Sequence, residues 1–334
     1  MAFSNNSGGV RCAGKQLVNS YSAMRFAALL LVPTALPGGQ QWAGQLDLAQ
    51  VWTRSEGAGV VVAVLDTGVA AGHPDLAGAV VPGRAFPDLG DGTRDDRGHG
   101  TEIALLVAGR GAAGFRGLAP RASVLPVKVN GGSDTLADAV FWAVDNGADI
   151  LNISQGNRAK RQSPRLDEAL RHAAERGVAV VAAAGNVPED DEVTSPADHD
   201  GVIAVSAVDG EGRFRADVSV RGPRIALAAP GVDIDFGAGT RTGTSYSAAV
   251  VSGALALVMA RYPDLDGSEA AQRLIGSARD AGPPGWDEEY GFGVVDPVAA
   301  TSGDLAAPAK PVWPLVAGAG LLAACAVWWR RRRS

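Results

Sequence analysis

The sequence predicts an α/β fold in which a doubly wound, mainly parallel β-sheet is flanked by helices. Several short apolar runs lack polar alternation, as in the valine-rich run 57–65, and such runs are typical of parallel strands buried on both faces. Helical segments of ten-odd residues, such as 135–146 and 164–176, separate these runs. This strand–helix alternation favours a parallel sheet over a helical bundle or a β-sandwich. We find no internal repeat of solenoid length.

The predicted elements follow one another from residue 47 to residue 296. A short amphipathic helix at 47–52 precedes the strand 57–65, and Asp66 follows directly after this strand. Further strands are predicted at 123–129, 149–154, 178–183, 202–207 and 225–228. Helices are predicted from His99 into the apolar segment 103–108, and at 135–146, 164–176, 243–257 and 267–278. The glycine-rich segment 291–296 closes the globular body, which we place at 41–300.

Composition and charge exclude some classes of function. The 334-residue chain is 46% hydrophobic and 20% charged, so it can bury a sizeable core and is not globally disordered. The formal charge of the whole chain is −6, and all of its acidic residues lie between Asp47 and Asp304. The body is therefore acidic. An acidic body argues against nucleic-acid binding. Cys12 and Cys325 lie outside the body, which therefore has no disulfide and no thiolate metal site.

The first 40 residues are interpreted as a signal peptide or preamble. Lys15 and Arg25 precede the apolar run 26–36, and a Pro-Gly-Gly sequence follows it. A basic region followed by a short apolar region is typical of export signals, and the run is too short to span a bilayer comfortably. The alternative is a buried strand or helix.

The C-terminal residues indicate a membrane anchor. An Ala/Pro-rich linker at 301–311 leads into the uncharged run Val312–Trp329, which has tryptophans near both ends and is followed by the basic tail 330–334. Apolar length, an aromatic belt and a positive flank together predict a single transmembrane helix with its C-terminus in the cytoplasm. The body would then be extracytoplasmic. The alternative is a buried core helix.

Four polar groups stand where an α/β fold places its reactive side chains. Asp66 and Asn186 each follow a predicted strand, His99 lies between two glycines at a helix start, and Ser245 begins the apolar helix 243–257. Functional groups collect at the carboxyl ends of parallel strands, and a helix N-terminus stabilises a nearby negative charge. Acyl transfer needs a nucleophile, a base, an orienting acid and an oxyanion donor. Each could instead be a cap or a polar turn.

Neighbouring residues offer alternatives for the same roles. Asp95 and Asp96 precede His99 and are the best rival acids, although a loop pair is poorly placed to orient one ring. Ser247 lies two residues beyond Ser245, so on a helix it points away from it. The remaining histidines are expected to be structural or solvated: His73, His172 and His199.

Four motifs, in this order, resemble the subtilisin-like serine proteases, the subtilases of peptidase S8 type. They are Asp-Thr-Gly at 66–68, His-Gly-Thr at 99–101, Ala-Ala-Gly-Asn at 183–186 and Gly-Thr-Ser-x-Ser-Ala at 243–248. The Asp–His–Ser order separates this family from the chymotrypsin-like and α/β-hydrolase enzymes. The resemblance implies a subtilisin-like fold and an acyl-enzyme mechanism with Asp66, His99 and Ser245 as catalytic triad. The side chain of Asn186 and the backbone N–H of Ser245 would bind the oxyanion.

The resemblance also implies where substrate binds. In subtilases a peptide adds as a strand between two edges, and the first pocket has a floor of small residues. The positions implied here are Gly131, Gly132, Ser154, Gln155, Gly156, Ala184 and Gly185. No cofactor and no metal is required for this chemistry. Subtilases often bind structural calcium, but the carboxylates here show no dense calcium-loop spacing.

A signal peptide, a subtilase body and one C-terminal membrane helix together resemble the mycosins, the membrane-anchored subtilases of actinobacterial type VII secretion. This resemblance implies an extracytoplasmic serine endopeptidase that acts on secreted or membrane-proximal proteins and could be partnered with a secretion complex. Two alternatives remain. The chain could be a scaffold of such a complex with dispensable protease activity, or a membrane-bound esterase, which needs only the same triad.

Overall fold

A computed structural model describes residues 41–156 and 163–303. The predicted signal segment 1–40, the membrane helix 312–329 and the basic tail 330–334 lie outside these residues, as does most of the predicted linker 301–311. The described part is built from nine strands, eight α-helices and one 3-10 turn, Pro74–Leu76.

Seven of the strands form the main sheet and two form a small hairpin. The sheet strands are β1 Val61–Asp66, β2 Arg84–Phe86, β3 Ser123–Val129, β4 Ile150–Ile153, β5 Ala179–Ala183, β6 Val202–Val208 and β7 Ile225–Pro230. The antiparallel hairpin consists of β8 Ile234–Asp235 and β9 Thr240–Arg241. The helices are α1 Gln41–Gln45, α2 Leu48–Trp52, α3 His99–Ala108, α4 Ser133–Asp145, α5 Pro164–Glu175, α6 Thr244–Arg261, α7 Gly267–Gly276 and α8 Pro297–Thr301.

The main sheet is parallel throughout and doubly wound. Its strand order is β2-β3-β1-β4-β5-β6-β7, and every neighbouring pair is parallel. From β1 the chain passes to the edge strand β2, returns to place β3 between β2 and β1, and then adds β4 to β7 in order on the other side of β1. The change of direction makes a switch point beside β1, where such sheets place their ligand sites. The predicted fold class is confirmed.

Two apolar layers cover the faces of the sheet. One cluster contains α3 and α6 together with side chains of β1, and the other contains α4 and α5. Strand β6 is buried at all seven positions, as expected for a strand covered on both faces. This explains why the valine-rich runs lack alternation.

Helix α6 is the central helix of the fold. By its length and composition it could cross a membrane, but it is 89% buried inside the protein. Every residue from Thr244 to Val258 is buried, which requires the small side chains that the sequence supplies. The helix therefore holds Ser245, its second residue, on a rigid support.

Removing a large side chain from α6 should destabilise the fold strongly. Leu257 is fully buried, so Leu257→Ala should lower the free energy of unfolding by about 2–5 kcal/mol, through lost transfer energy and the cavity left behind. The matched control is Leu89→Ala, because Leu89 is 100% exposed. Chemical denaturation of both variants measures the difference. Equal midpoints for the two variants would contradict the central position of α6.

Some short elements differ from the sequence-based expectation. Strand β2 and the β8–β9 hairpin were not predicted, because segments of two or three residues carry too little pattern. The predicted helix start at His99 is confirmed, whereas the helix expected to end at 278 ends at Gly276. Helix α8 extends to Thr301, the first residue of the predicted linker. Strand β3 has the predicted bounds.

Candidate active site

Asp66 is the last residue of β1 and is fully buried. Its Oδ1 accepts a hydrogen bond from Nδ1 of His99 at 2.8 Å and another from the backbone N–H of Thr67 at 2.7 Å. Within the described ranges its buried Oδ2 has no hydrogen-bond partner. Because a carboxylate can only accept, the Nδ1 atom of His99 carries the proton, which leaves Nε2 as the acceptor.

His99 is the first residue of α3, and two glycines allow this helix to start against β1. Gly98 has a φ of 82°, a conformation that side chains rarely adopt. A Cβ on Gly100 would lie 2.2 Å from the carbonyl oxygen of Gly68. Glycine is therefore needed at position 100 for α3 to approach the end of β1 closely enough to form the Asp66–His99 bond.

The surroundings of His99 raise its pKa above the usual value of 6.5. Burial alone would lower the pKa, because it penalises the charged imidazolium. The hydrogen bond and charge of Asp66, followed by the charges of Glu102 and Asp95, act in the opposite direction and outweigh burial. The charged form of the ring is therefore stabilised where it lies.

The two rival acids have other partners. Asp95 accepts hydrogen bonds from Thr101 through Oδ2 and from Thr67 and Gly98 through Oδ1, at 2.6–2.8 Å. Burial raises the pKa of Asp95, but these bonds outweigh it and lower the value overall. Asp96 pairs with Lys128 and Arg94. Asp95 thus secures the start of α3, and the carboxylate bonded to the ring is Asp66.

Ser245 is the second residue of α6 and is 8% exposed. Its hydroxyl donates to the carbonyl oxygen of Ser154 at 2.9 Å, and the hydroxyl of Ser154 donates back to the carbonyl of Ser245 at 3.2 Å. The next residue, Tyr246, packs its ring against that of His99 with centroids 5.7 Å apart. This ring contact places the start of α6, which carries Ser245, against the start of α3, which carries His99.

Asn186 lies just beyond β5 and is held by the start of α6. Its side-chain Oδ1 accepts from the backbone N–H of Thr244 at 2.9 Å and from the hydroxyl of Thr244 at 3.2 Å. With Oδ1 engaged in this way, the Nδ2 donor is left for another acceptor. The hydroxyl of Thr244 also contacts Gly185. Threonine is a residue type typical of helix caps, but the N-cap here is Gly243, and Thr244 instead ties α6 to Asn186.

An Asn186→Ala variant should lose turnover with little change in KM. A donor that contacts an oxyanion acts only in the transition state. We expect kcat to fall by about 10²–10³-fold, the size of effect that loss of an oxyanion donor has in subtilisin, which the four motifs resemble. Steady-state peptide hydrolysis measures it. Asn146→Ala, at an exposed helix end, is the control. An unchanged kcat for Asn186→Ala would remove this residue from the oxyanion site.

Two cavities flank the Asp66–His99–Ser245 region. The first, of about 230 Å³, opens onto Ser245 and Asn186 and is lined by the predicted residues Ser154, Gly156 and Gly185. The second, of about 390 Å³, includes Gln155 and Gly131. The structure thus divides these five predicted binding residues between two cavities.

The other two predicted binding residues lie elsewhere. Ala184 is fully buried and does not line the first cavity; its carbonyl accepts from Thr194, and Ala183 and Gly185 take the lining positions. Gly132 is the N-cap of α4 and lines neither cavity. Ala184 and Gly185 follow the end of β5, where the regular alternation of a strand no longer fixes which residue faces the cavity.

Sequence reasoning missed several residues of the first cavity. Glu189, Asp190 and Thr194 line it beside Asn186. The carboxylate of Asp190 accepts the backbone N–H of Asn186 at 2.9 Å, so it helps to fix the loop that carries the amide. The acidic run at 189–192, so close to Asn186, was the available signal.

The remaining polar candidates have structural roles. His73 accepts the backbone N–H of Asp75 at 3.2 Å, and Ser247 donates to the carbonyl of Ala229. The side chain of His172 is 22% exposed and contacts Asp145. His199 was expected to be solvated, which is wrong: its side chain is 11% exposed and contacts Asp167 and Ser195. Among the residues that the structure describes, no group of three or more metal-ligating side chains is found.

Comparisons with known proteins agree with this geometry. Residues 57–293 match the Subtilase family, peptidase S8. Mycosin-4 of Mycobacterium tuberculosis is 36% identical over 313 residues, covering 77% of this chain and 68% of that protein. The structure of MycP3 protease from the type VII (ESX-3) secretion system superposes with a TM-score of 0.71 at 33% identity, covering 81% of this chain and 90% of that one. A chain from the periplasmic assembly of the ESX-5 inner membrane complex gives a TM-score of 0.73 at 30% identity, covering 81% and 86%.

The family match covers most of the described body, and the two cavities and the buried acid–histidine pair lie within it. The fold is that of the mycosin structures. The chain therefore belongs to the subtilase family and is a serine endopeptidase.

Proposed function

We propose that Ser245 is the nucleophile, that His99 is the general base and acid, and that Asp66 orients the imidazole. The observation that carries this proposal is the 2.8 Å bond between Asp66 Oδ1 and His99 Nδ1. Ser245, which borders a cavity, directly precedes Tyr246, whose ring contacts that of His99. A neutral histidine with its proton on Nδ1 can accept the serine proton at Nε2.

The proposed reaction proceeds through an acyl-enzyme. The Oγ of Ser245 attacks the peptide carbonyl carbon as its proton passes to Nε2 of His99. The resulting oxyanion receives hydrogen bonds from the side-chain amide of Asn186 and from the backbone N–H of Ser245. His99 then protonates the leaving amine as the C–N bond breaks. Water, deprotonated by His99, attacks the ester and releases Ser245.

The substrate is proposed to bind as an added strand. The segment after β3 borders the second cavity through Gly131. The segment after β4 borders both cavities, the first through Ser154 and Gly156 and the second through Gln155. A peptide lying between these segments would gain backbone hydrogen bonds for affinity, and the cavities would select its side chains.

We further propose that the protease body is extracytoplasmic and anchored by Val312–Trp329. The support is the composition of that run and its arginine flank. Because Thr301 belongs to α8, ten linker residues remain at 302–311, and they reach about 33–36 Å when fully extended, so the body would stay near the bilayer. Its substrates would then be secreted or membrane-proximal proteins.

A surface-labelling experiment tests the nucleophile and the location together. Intact cells producing the full chain are treated with a membrane-impermeant fluorophosphonate. We expect labelling of the wild type and of Ser195→Ala, which removes a hydroxyl that contacts His199, but not of Ser245→Ala. The label should remain with the membranes after alkaline carbonate extraction. Labelling that needs permeabilised cells, or a wild-type label that carbonate releases, would contradict the proposed anchoring.

A second candidate is a scaffold role in a secretion complex. The similarity to a chain of the ESX-5 inner membrane complex favours it, and such a role can coexist with proteolysis. Complementation of a gene deletion with Ser245→Ala separates the two. Restored secretion without processing supports the scaffold, whereas failed secretion shows that the proteolytic step is required.

A further inference from the structure

Three side chains outside the proposed triad form a cluster beside His99. Glu102, one helical turn after His99 on α3, accepts the hydroxyl of Tyr246 through Oε2 at 2.8 Å. Its Oε1 accepts Nε of Arg241, from β9, at 2.8 Å. The side chain of Glu102 is 19% exposed and that of Arg241 is 45% exposed. The carboxylate therefore has a fixed orientation from two sides.

The cluster joins the helix of the base to the helix of the nucleophile. Tyr246 directly follows Ser245 on α6 and is 5% exposed. Its ring meets the imidazole of His99 edge-on, at an interplanar angle of 64°. Behind it, Phe236 contacts Tyr246 with centroids 5.9 Å apart. Because Glu102 holds the phenol from α3, the ring cannot swing away from His99 without breaking this partly buried hydrogen bond.

The charges around His99 come from four elements. Asp66 faces it from β1, Asp95 from the loop before α3 and Glu102 from α3 itself, and all three favour the imidazolium. Arg241, from β9, offsets the charge of Glu102. Burial and the neighbouring Glu102 raise the pKa of Tyr246 above its usual 10, so this phenol stays protonated and remains a donor.

We infer that Glu102 is a positioning residue for His99: it acts through Tyr246 to hold the ring in place, and together with Arg241 it sets the charge that the ring experiences. This inference rests on the proposed function of His99. Unlike that function, it assigns roles to residues outside the triad and the oxyanion site, and it links the β8–β9 hairpin to the base.

Three substitutions separate charge from position. Glu102→Gln keeps an acceptor for Tyr246 but removes the negative charge. Arg241→Gln leaves that charge uncompensated. Tyr246→Phe keeps both charges but removes the hydrogen bond. The control is Arg224→Gln, because Arg224 forms an exposed pair with Asp200 and precedes β7, at the end of the sheet opposite the site.

The first readout is the pKa of His99, measured on the full chain in detergent by ¹⁵N-histidine NMR. It does not depend on activity. A negative charge favours the imidazolium, so Glu102→Gln should lower this pKa by on the order of 0.5 pH unit, as expected for a charge one helical turn away near the surface. Arg241→Gln should raise it, and Arg224→Gln should leave it unchanged. Coincident titrations of wild type, Glu102→Gln and Arg241→Gln would overturn the charge role.

The second readout is peptide hydrolysis as a function of pH. The base must be neutral, so the acid limb of kcat/KM should move to lower pH in Glu102→Gln and to higher pH in Arg241→Gln. Tyr246→Phe should lower kcat by roughly tenfold at unchanged KM, since a loosened ring aligns less well with the serine. An unchanged kcat in Tyr246→Phe would overturn the positioning role. A wild type without Ser245-dependent hydrolysis would instead refute the proposed function, while the NMR titration still decides the charge role.

Discussion

Replacement of Ser245 by alanine should abolish peptide hydrolysis while leaving the fold intact. Loss of the hydroxyl removes the covalent step, and turnover should fall on the order of 10⁶-fold, the loss seen when the nucleophile of the related enzyme subtilisin is removed. The side chain is small and sits at the start of α6, where its hydroxyl bonds only to the carbonyl of Ser154. The melting temperature should therefore change little.

The measurement is kcat on a fluorogenic peptide, with thermal unfolding in parallel. Ser195→Ala is the matched control, because Ser195 is hydrogen-bonded to a histidine, His199, at 3.0 Å, yet it lines neither of the two cavities described above. We expect wild-type turnover from this control. Activity that survives in Ser245→Ala and disappears in Ser195→Ala would move the active site to the other serine.

Substitution of Asp66 by asparagine should have the second-largest effect on turnover. An amide in place of the carboxylate can present a donor to Nδ1, which favours the ring tautomer with its proton on Nε2, where it cannot accept from Ser245. The expected loss in kcat is about 10⁴-fold, as for the equivalent change in other serine proteases. The fully buried side chain keeps its shape, so the protein should still fold.

Asp95→Asn is the contrasting variant. Asp95 receives its hydrogen bonds from Thr67, Gly98 and Thr101, so its loss should weaken the start of α3. We expect about 1–2 kcal/mol less stability in denaturation and a fall in kcat of less than tenfold. A larger loss of kcat in Asp95→Asn than in Asp66→Asn would show that the wrong carboxylate has been assigned to the ring.

The sequence predicts the sheet and the positions of the reactive groups because both follow from local patterns. An unalternating apolar run predicts a buried parallel strand, as β3 shows with its predicted bounds. Groups at the carboxyl ends of parallel strands share one edge of the sheet, so Asp66 and Asn186 were expected near each other. The glycines around His99 indicated close approach, and Gly100 allows it.

Contacts between distant residues are not encoded in such patterns. The pairing of Glu102 with Tyr246 joins positions 144 residues apart, and neither residue has a local signal for it. Thr244 is of a residue type that often caps helices, but its backbone N–H and its hydroxyl both donate to Oδ1 of Asn186, which follows β5. His199 lies in a polar loop, yet its side chain contacts Asp167 of α5 and is only 11% exposed. These differences arise from tertiary packing rather than from errors in the predicted elements.

The most direct test of the central claim is to map the site of covalent modification. Purified full-length protein is inactivated with a fluorophosphonate, digested, and analysed by mass spectrometry. We predict a single adduct on the Oγ of Ser245 and protection of that site by a competing peptide. An adduct on Ser195 or another serine, with Ser245 unmodified in an active preparation, would contradict the mechanism.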